Sequence, residues 1–393
     1  MKNIALIAFV IGFVFSCQSG TENQRTYGTT LSLDDSISIE LDSLTSFEFI
    51  NVYYHENDSG EFLIHVNFLI NGFNVYDLNS SRLLSQVSWP KSGPFSMSQI
   101  NGLTVVNLDS IFLYTRGDLR KIVLTDYKGD DPEVLITKSN TEKGDAPDSF
   151  SFSGHTSSTR APTIALGNRL YFSKYSNFDY YQASNINDSY VAEFSYDLKT
   201  NKMEPLTIGF PKWMQGKIWH MYYLLHSKTV NNKGEFIYSF SGEDSIRVSH
   251  KDGTYKAYQA KHDDQMEGIS PYGDRIPPEQ VLKDGVESFI YTQIMYDRYR
   301  NVYYRIVEKP LSYDPDKPKN YRAYYAKPVG CIILDAAFNK IGEVDFADDT
   351  YISYGAFVGK KGLYLPRLDP KYKNFSENRV DYSIYKLNMI GDK

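Results

Sequence analysis

Two cysteines, Cys17 and Cys331, are all that this 393-residue chain contains. That excludes the disulfide framework that staples small secreted domains. Histidine is sparse at seven, and no two have the spacing of metal ligands. The basic residues form no tract, so nucleic acid is not an expected partner. Beyond the N-terminus no run approaches the roughly 20 apolar residues of a membrane-spanning helix. Also missing are G-x-G-x-x-G, a phosphate-cradling P-loop, H-E-x-x-H, G-x-S-x-G and C-x-x-C, so the common nucleotide, zinc-hydrolase, serine-hydrolase and redox signatures are absent.

The N-terminus carries an address. Lys2 precedes an apolar run from Ile4 to Phe15, and Ser16-Cys17 follow; this is the layout of a secretory signal, too short to span a bilayer. Val14-Phe15-Ser16-Cys17 resembles the bacterial lipobox, with the bulky Phe15 slightly off pattern. The expectation is a signal peptide over 1–16 and a lipid on Cys17. A polar tether follows over 17–30, then one domain over 31–393, anchored to a membrane rather than spanning it. Losing Lys2 leaves 41 basic against 48 acidic residues, a net charge of −7. With Cys17 acylated, Cys331 has no disulfide partner; in Gly330-Cys331-Ile332-Ile333-Leu334 it reads as a buried strand residue.

Aromatic residues are abundant, with 33 Tyr and 23 Phe, and suit pleated, half-buried strands. One phrase recurs: a turn residue, one position, then an apolar-aromatic strand. It starts at Gly60, Asp109, Asn168, Gly234, Asn301 and Gly362. Each copy follows an apolar strand (Phe49–Tyr54, Ile100–Val106, Pro162–Leu166, Trp219–Leu225, Phe289–Met295 and Tyr354–Val358). Each precedes an alternating strand, as at Phe73, Arg120, Val191, Ile246, Cys331 and Tyr382, and all but the last of these end in a polar turn and a further strand. Four strands repeated six times predict an all-β, six-bladed propeller. The last unit runs out of chain before its fourth strand, so the early strand Ser36–Asp42 is expected to complete it and close the ring.

Strands in a blade alternate in direction, so its loops sort onto two faces. The long segments all fall on one: 137–161, 174–189, 260–287, 308–328 and 368–379. Long loops on a rigid scaffold are where binding residues concentrate, and these are rich in Tyr, Asp, Asn, Arg and Lys, as in Phe178-Asp-Tyr-Tyr-Gln, Pro271-Tyr-Gly-Asp-Arg and Asn320-Tyr-Arg-Ala-Tyr-Tyr. By position, the candidates for the channel mouth on this face are Arg116, His155, Arg160, Trp219, His220, Arg275 and Tyr354. Arginine there suits a carboxylate or phosphate, and His220 would face the channel if Trp219–Leu225 were a strand. No catalytic residue stands out. Asp314-Pro-Asp316 lacks the remaining ligands of an EF-hand loop and reads as a solvated turn.

In its lipobox, tether and six strand phrases the chain resembles the envelope lipoproteins of Gram-negative bacteria that carry six-bladed, TolB-like propellers and have no assigned function. It has no Trp-Asp dipeptide, no Gly-Gly kelch signature and no Asp-box. The resemblance implies the cell envelope, with the lipid in the outer membrane, and no particular reaction. The expected role is a binding or scaffold module whose loop-rich face takes a protein, peptide or glycan. The alternative is a hydrolase or lyase at the channel mouth, in the manner of lactonase-like propellers that hold Ca²⁺ with carboxylates and amides. No converging ligand set stands out, so no cofactor and no metal site are expected. Three or four carboxylates or imidazoles meeting at the mouth would favour the enzyme; an apolar or Arg-lined mouth would favour binding.

Overall fold

The computed structural model describes residues 27–115, 118–136, 155–174, 179–250, 253–273, 275, 277–316 and 326–389. The signal, Cys17 and most of the tether lie outside them, as do Phe178 and the 320–325 phrase.

The fold is all-β with a propeller-like arrangement: four small sheets and one eight-stranded sheet. Strand β1 (Thr29–Glu40) opens the chain. The first small sheet runs β2 (Val52–Asn57), β3 (Gly60–Asn67), β4 (Gly72–Asp77), β5 (Arg82–Ser88); the second runs β6 (Ile100–Asn107), β7 (Ser110–Thr115), β8 (Asp118–Thr125), β9 (Glu133–Ile136). In the third, β10 (His155–Thr156) and β11 (Ile164–Leu166) both pair with β12 (Arg169–Lys174), then β13 (Glu193–Asp197) and β14 (Lys202–Pro205) follow. The fourth is β15 (His226–Val230), β16 (Phe236–Phe240), β17 (Ser245–Ser249), β18 (Tyr255–Gln259). Helix α1 (Pro278–Glu287) precedes the large sheet, made of β19 (Ile290–Asp297), β20 (Val302–Glu308), β21 (Val329–Leu334), β22 (Lys340–Asp345), β23 (Phe357–Gly359), β24 (Gly362–Pro366) and β25 (Arg379–Met389) with β1.

Within the large sheet, β19–β22 form one antiparallel run and β23–β24–β25–β1 another. Among the described residues only the parallel bridge Thr29↔Gly342 pairs one run with the other. Strand β1 lies antiparallel on β25 from Thr29↔Met389 to Glu40↔Arg379, so the first and last strands of the fold clamp each other and β25 is not left as an edge. The inner strands β2, β6 and β11, and likewise β15, β19, β23 and β2, touch in succession around an axis.

The local reasons are those of pleated sheets. In Gly60-Glu-Phe-Leu-Ile-His-Val-Asn almost every side chain is buried, because each sheet is sandwiched between its neighbours rather than facing water on one side. Tight hairpins demand left-handed backbone: Asn201 (φ 57°) and Asn301 (φ 55°) supply it, as small polar side chains tolerate. At Gly362 (φ 157°) a Cβ would stand 2.0 Å from the Tyr385 carbonyl oxygen, so glycine there lets β24 pack against β25. Cys331 is buried in β21, and burial raises its thiol pKa well above the ordinary range, leaving it inert.

Three expectations are corrected. Trp219–Leu225 is not a strand: Met221–Leu224 is a 3-10 turn and the inner strand of that unit is His226–Val230. The run Trp-His-Met-Tyr-Tyr-Leu-Leu lacks the alternation of a half-buried strand. His220 caps the turn instead, accepting the Tyr222 amide on Nδ1 at 3.2 Å. The segment 260–287 is not only loop; it contains α1, with Pro278 at its start and Glu279 in its first turn, as helix N-termini favour. Tyr354 precedes its strand rather than opening it.

Candidate functional site

The loop-bearing face is closed at its centre by an interruption in one strand. β10 ends where Thr156 pairs with Ser173, and β11 begins where Ile164 pairs with Tyr171. Residues 157–163 therefore leave the sheet opposite the single residue Phe172 and cross towards the axis. Tyr53 Oη lies 3.4 Å from Ser157 Oγ, and Ser157 packs so closely on Gly102 that a Cβ there would sit 2.4 Å from its carbonyl oxygen. Thr159 Oγ1 accepts the Val52 amide at 2.8 Å and donates to the Ile50 carbonyl at 2.9 Å. Arg160 Nε donates to Thr292 O at 3.0 Å and Nη2 to Ser241 Oγ at 3.3 Å. Gln293 Nε2 donates to Thr159 O at 3.2 Å and to Ala356 O at 3.1 Å. One short segment thus ties together units on every side of the ring, which places it on the axis as a plug.

On this plug stands a cavity of about 580 Å³. Ser158 and Arg160 contribute from the plug and Val281, Leu282 and Val286 from α1; Ile290, Ile352, Leu368 and Phe375 come from other loops and inner strands, and Phe47 and Ile50 from the β1–β2 connection. The walls are mainly apolar. Converging on them are three charged groups of low exposure, Arg160, Glu308 and Lys327, with Asn51, Tyr222 and Tyr354 beside them. A dead-end pocket of this size, apolar with a few placed polar groups, has the character of a small-ligand site.

Lys327 and Glu308 set its electrostatics. Lys327 is 3% exposed, and its Nζ donates to Gly285 O at 2.9 Å and Ser288 O at 2.6 Å, the C-terminal carbonyls of α1. A cation suits that end of the helix. Burial nevertheless brings the ammonium down to about 8, against the opposing pull of the Glu308 charge. Glu308, 6% exposed, accepts a hydrogen bond from Ser353. Among the described residues no ion pair within 4.0 Å joins Lys327 to Glu308, so two opposite charges share one cavity without neutralising each other directly.

Of the residues expected at the mouth, the structure brings Arg160 and Tyr354 into the lining. His220 stands one layer behind, its Nε2 2.7 Å from Val281 O, and burial lowers its pKa; it supports α1 rather than facing the channel. Trp219 is buried, donating from Nε1 to Met214 O at 2.8 Å. Arg275 is exposed, its guanidinium 5.1 Å from the Tyr181 ring centre. His155 pairs through its backbone with Lys174, and its side chain and Arg116 lie outside what is described. Lys327, Glu308 and the α1 wall were not anticipated. Pro277-Pro278-Glu279 followed by apolar Val281, Leu282 and Val286 is a readable helix start, whereas nothing local marks Lys327 or Glu308.

Two other charged clusters are already balanced. Glu193 and Lys228 are fully buried and paired at 2.7 Å. His262, Asp264 and Asp345 bring their ligand atoms within 4.8 Å of one another, but Lys309 Nζ holds Asp264 at 2.8 Å and Asp345 at 2.5 Å. Burial alone would raise Asp345; hydrogen bonds from His262 and Lys309 hold it at about 2. The lysine supplies the positive charge a metal would bring. Among the described residues no helix is long and apolar enough to cross a membrane.

Residues 29–345 match the family described as "Domain of unknown function (DUF4221)", and the chain belongs to it. A crystal structure of a member of that family from Bacteroides vulgatus ATCC 8482 is 21% identical, covers 93% of this chain and 100% of its own, and superposes with a TM-score of 0.76, the same overall fold. A putative exported protein from Bacteroides fragilis NCTC 9343 is 9% identical over 92% of this chain and 95% of its own, with a TM-score of 0.48. A luciferin-regenerating enzyme is 12% identical over 91% and 96%, with a TM-score of 0.43. No curated protein matches the chain.

Proposed function

We propose that this DUF4221 member is a ligand-binding protein of the cell envelope: a six-bladed propeller, tethered to the outer membrane by a lipid on Cys17, that receives a peptide, glycan or protein segment in the Arg160–Glu308–Lys327 cavity. The observation that carries it is the dead-end pocket itself, apolar-walled, floored by the 157–163 plug and placed on the face that bears the long loops. The pocket suits a protruding segment or a small molecule rather than a broad flat partner.

Six blades follow from treating β19–β22 and β23–β24–β25–β1 as separate units, since a single residue pair joins them among the described residues. The apolar clusters support this count. Each sits between successive units, as with Phe112, Tyr114, Leu170, Phe172 and Tyr196 between the second and third. The lipid anchor rests on Val14-Phe15-Ser16-Cys17. For the hydrolase alternative, three or four acid–base groups would have to meet at the mouth. Among the described residues the lining holds two carboxylates, Glu48 and Glu308, and no imidazole, which favours binding.

The test is a thermal-shift panel of short peptides, oligosaccharides and metal salts on the wild type and on Leu282→Trp, which fills the cavity from α1. Saturating a pocket at about 100 Kd stabilises by about 2.7 kcal/mol. The expected result is a peptide or glycan hit whose shift is lost in the variant. Hits that shift both proteins equally would remove the pocket from the account, and a chelator-sensitive metal shift would favour the enzyme.

A further inference from the structure

We propose that the occupant is an uncharged molecule with an apolar body and an amide group, the amide oxygen accepting a hydrogen bond from Lys327 and the amide N–H donating one to Glu308. This deepens the pocket reading above and rests on it.

Charge balance comes first. Among the described residues four charged side chains line the cavity, Glu48 and Glu308 against Arg160 and Lys327. Two carboxylates and two cations leave the lining with no excess of either sign. An ion entering such a cavity loses its hydration and meets no net opposite charge to offset that loss. A ligand without net charge avoids the cost.

Donor and acceptor capacity then selects the group. An ammonium has three protons, and Lys327 donates two of them, to Gly285 O and Ser288 O. The third has no acceptor among the described residues. Glu308 accepts on Oε1 from Ser353, and among the described residues no hydrogen bond is made to Oε2. An ionised carboxylate is acceptor-only, so Oε2 calls for a donor on the ligand. No ion pair within 4.0 Å joins Lys327 to Glu308, so neither group completes the other. A polar group of low exposure left short of partners is costly, and a ligand that brings an acceptor to one and a donor to the other completes both. A hydroxyl carries donor and acceptor on a single atom. An amide spaces them across its O=C–N unit, which suits two groups too far apart to pair.

Shape sets the remainder. Val281, Leu282, Val286, Ile290, Ile352 and Phe375 give an aliphatic and aromatic wall, against which the many hydroxyls of a sugar would lie unpaired. A volume of about 580 Å³ lies within the range of drug-sized ligands. Short apolar peptides with blocked ends and fatty amides share this chemistry.

Isothermal titration of the purified protein with four probes of one chain length tests it: N-methyloctanamide, N,N-dimethyloctanamide, octanoate and octylamine. The first two differ by one methyl group in place of the N–H. N-methyloctanamide is expected to bind at least tenfold tighter than each of the other three. The double variant Lys327→Met/Glu308→Met replaces both charges together, so no buried charge is left alone; it should bind the two amides equally. Equal or tighter binding of the dimethylamide, the acid or the amine by the wild type overturns the inference while leaving the pocket reading intact. So does a preference for N-methyloctanamide that survives the double variant. Absence of binding by all four overturns the inference, and silence of the wider thermal-shift panel as well overturns the pocket reading. The wild-type series decides even if the variant fails to fold.

Discussion

Replacing Lys228 by Met removes one half of a fully buried ion pair at the junction of the third and fourth units. Lys228 Nζ lies 2.7 Å from Glu193 Oε2, with both side chains inaccessible to solvent, and it also donates to Tyr171 O at 3.0 Å. Glu193 Oε1 accepts from Ser173 Oγ at 2.8 Å and lies 2.8 Å from His226 Nε2. Burial by itself would raise the Glu193 pKa, but the Lys228 charge and the His226 contact keep it lowered. Without Lys228 the largest of these lowering influences is gone, and the Glu193 carboxylate is left buried against His226 and Ser173 alone, its pKa driven up by burial. An uncompensated buried charge of this kind costs about 3–5 kcal/mol. For 393 residues, an unfolding entropy of about 2.1 cal/mol/K per residue sums to roughly 0.8 kcal/mol/K, so Tm should fall by about 4–6 °C. Scanning calorimetry of Lys228→Met, Glu193→Gln and the double variant closes a cycle. The side-chain amide introduced by Glu193→Gln still accepts from Ser173, so the double variant should recover at least half of the single loss, a coupling of about 2 kcal/mol. A Lys228→Met Tm within about 1 °C of wild type, or a double variant as unstable as the sum of the two singles, would refute the reasoning.

Gly102→Val should cost several degrees of Tm and also abolish ligand-induced shifts, because its Cβ would displace Ser157 at 2.4 Å and with it the cavity floor; a variant that keeps wild-type ligand shifts would break the link between plug and pocket. Burial brings the Lys327 ammonium down to about 8, so stability should depend on pH through this group. The folded amine lies below its ordinary value, so between about 8 and about 10.4 the unfolded chain holds more protons and stability rises with pH; calorimetry of wild type against Lys327→Met isolates the slope. Cys17→Ala should release the protein from membrane fractions and end labelling by a fatty-acid analogue; retention of both would assign the anchor elsewhere.

Much of the architecture was legible because strands announce themselves by period and turns by chemistry. The phrases at Gly60, Asp109, Asn168, Gly234, Asn301 and Gly362 each open a further strand of a unit or precede it by at most two residues, since a left-handed or polar turn must stand before an apolar pleated run. The early strand beside the last was legible too, from a unit left one strand short. Trp219–Leu225 misled because unbroken apolar sequence has no period to distinguish a strand from a 3-10 turn. Helix α1 was hidden inside a segment read as loop, although Pro278 and Glu279 mark its start.

The site divides along the same line. Its side of the molecule could be read from loop lengths alone, because hairpin parity assigns every connection to one of two faces. Arg160 and Tyr354 were expected there by position, and both line the cavity. Which charges meet in the cavity was decided only in three dimensions. Lys327 lies near the end of the 308–328 segment, Glu308 ends β20 and Arg160 sits in a strand interruption; nothing in their flanking residues distinguishes them from surface charges. The sequence by itself determined strand order, closure by β1 and the loop-bearing face, because these follow from local periodicity and chain connectivity. Tertiary structure alone decided that residues 157–163 plug the axis and that Arg160, Glu308 and Lys327 share one apolar-walled pocket, because burial and distance belong to the packed ring and to no segment of it.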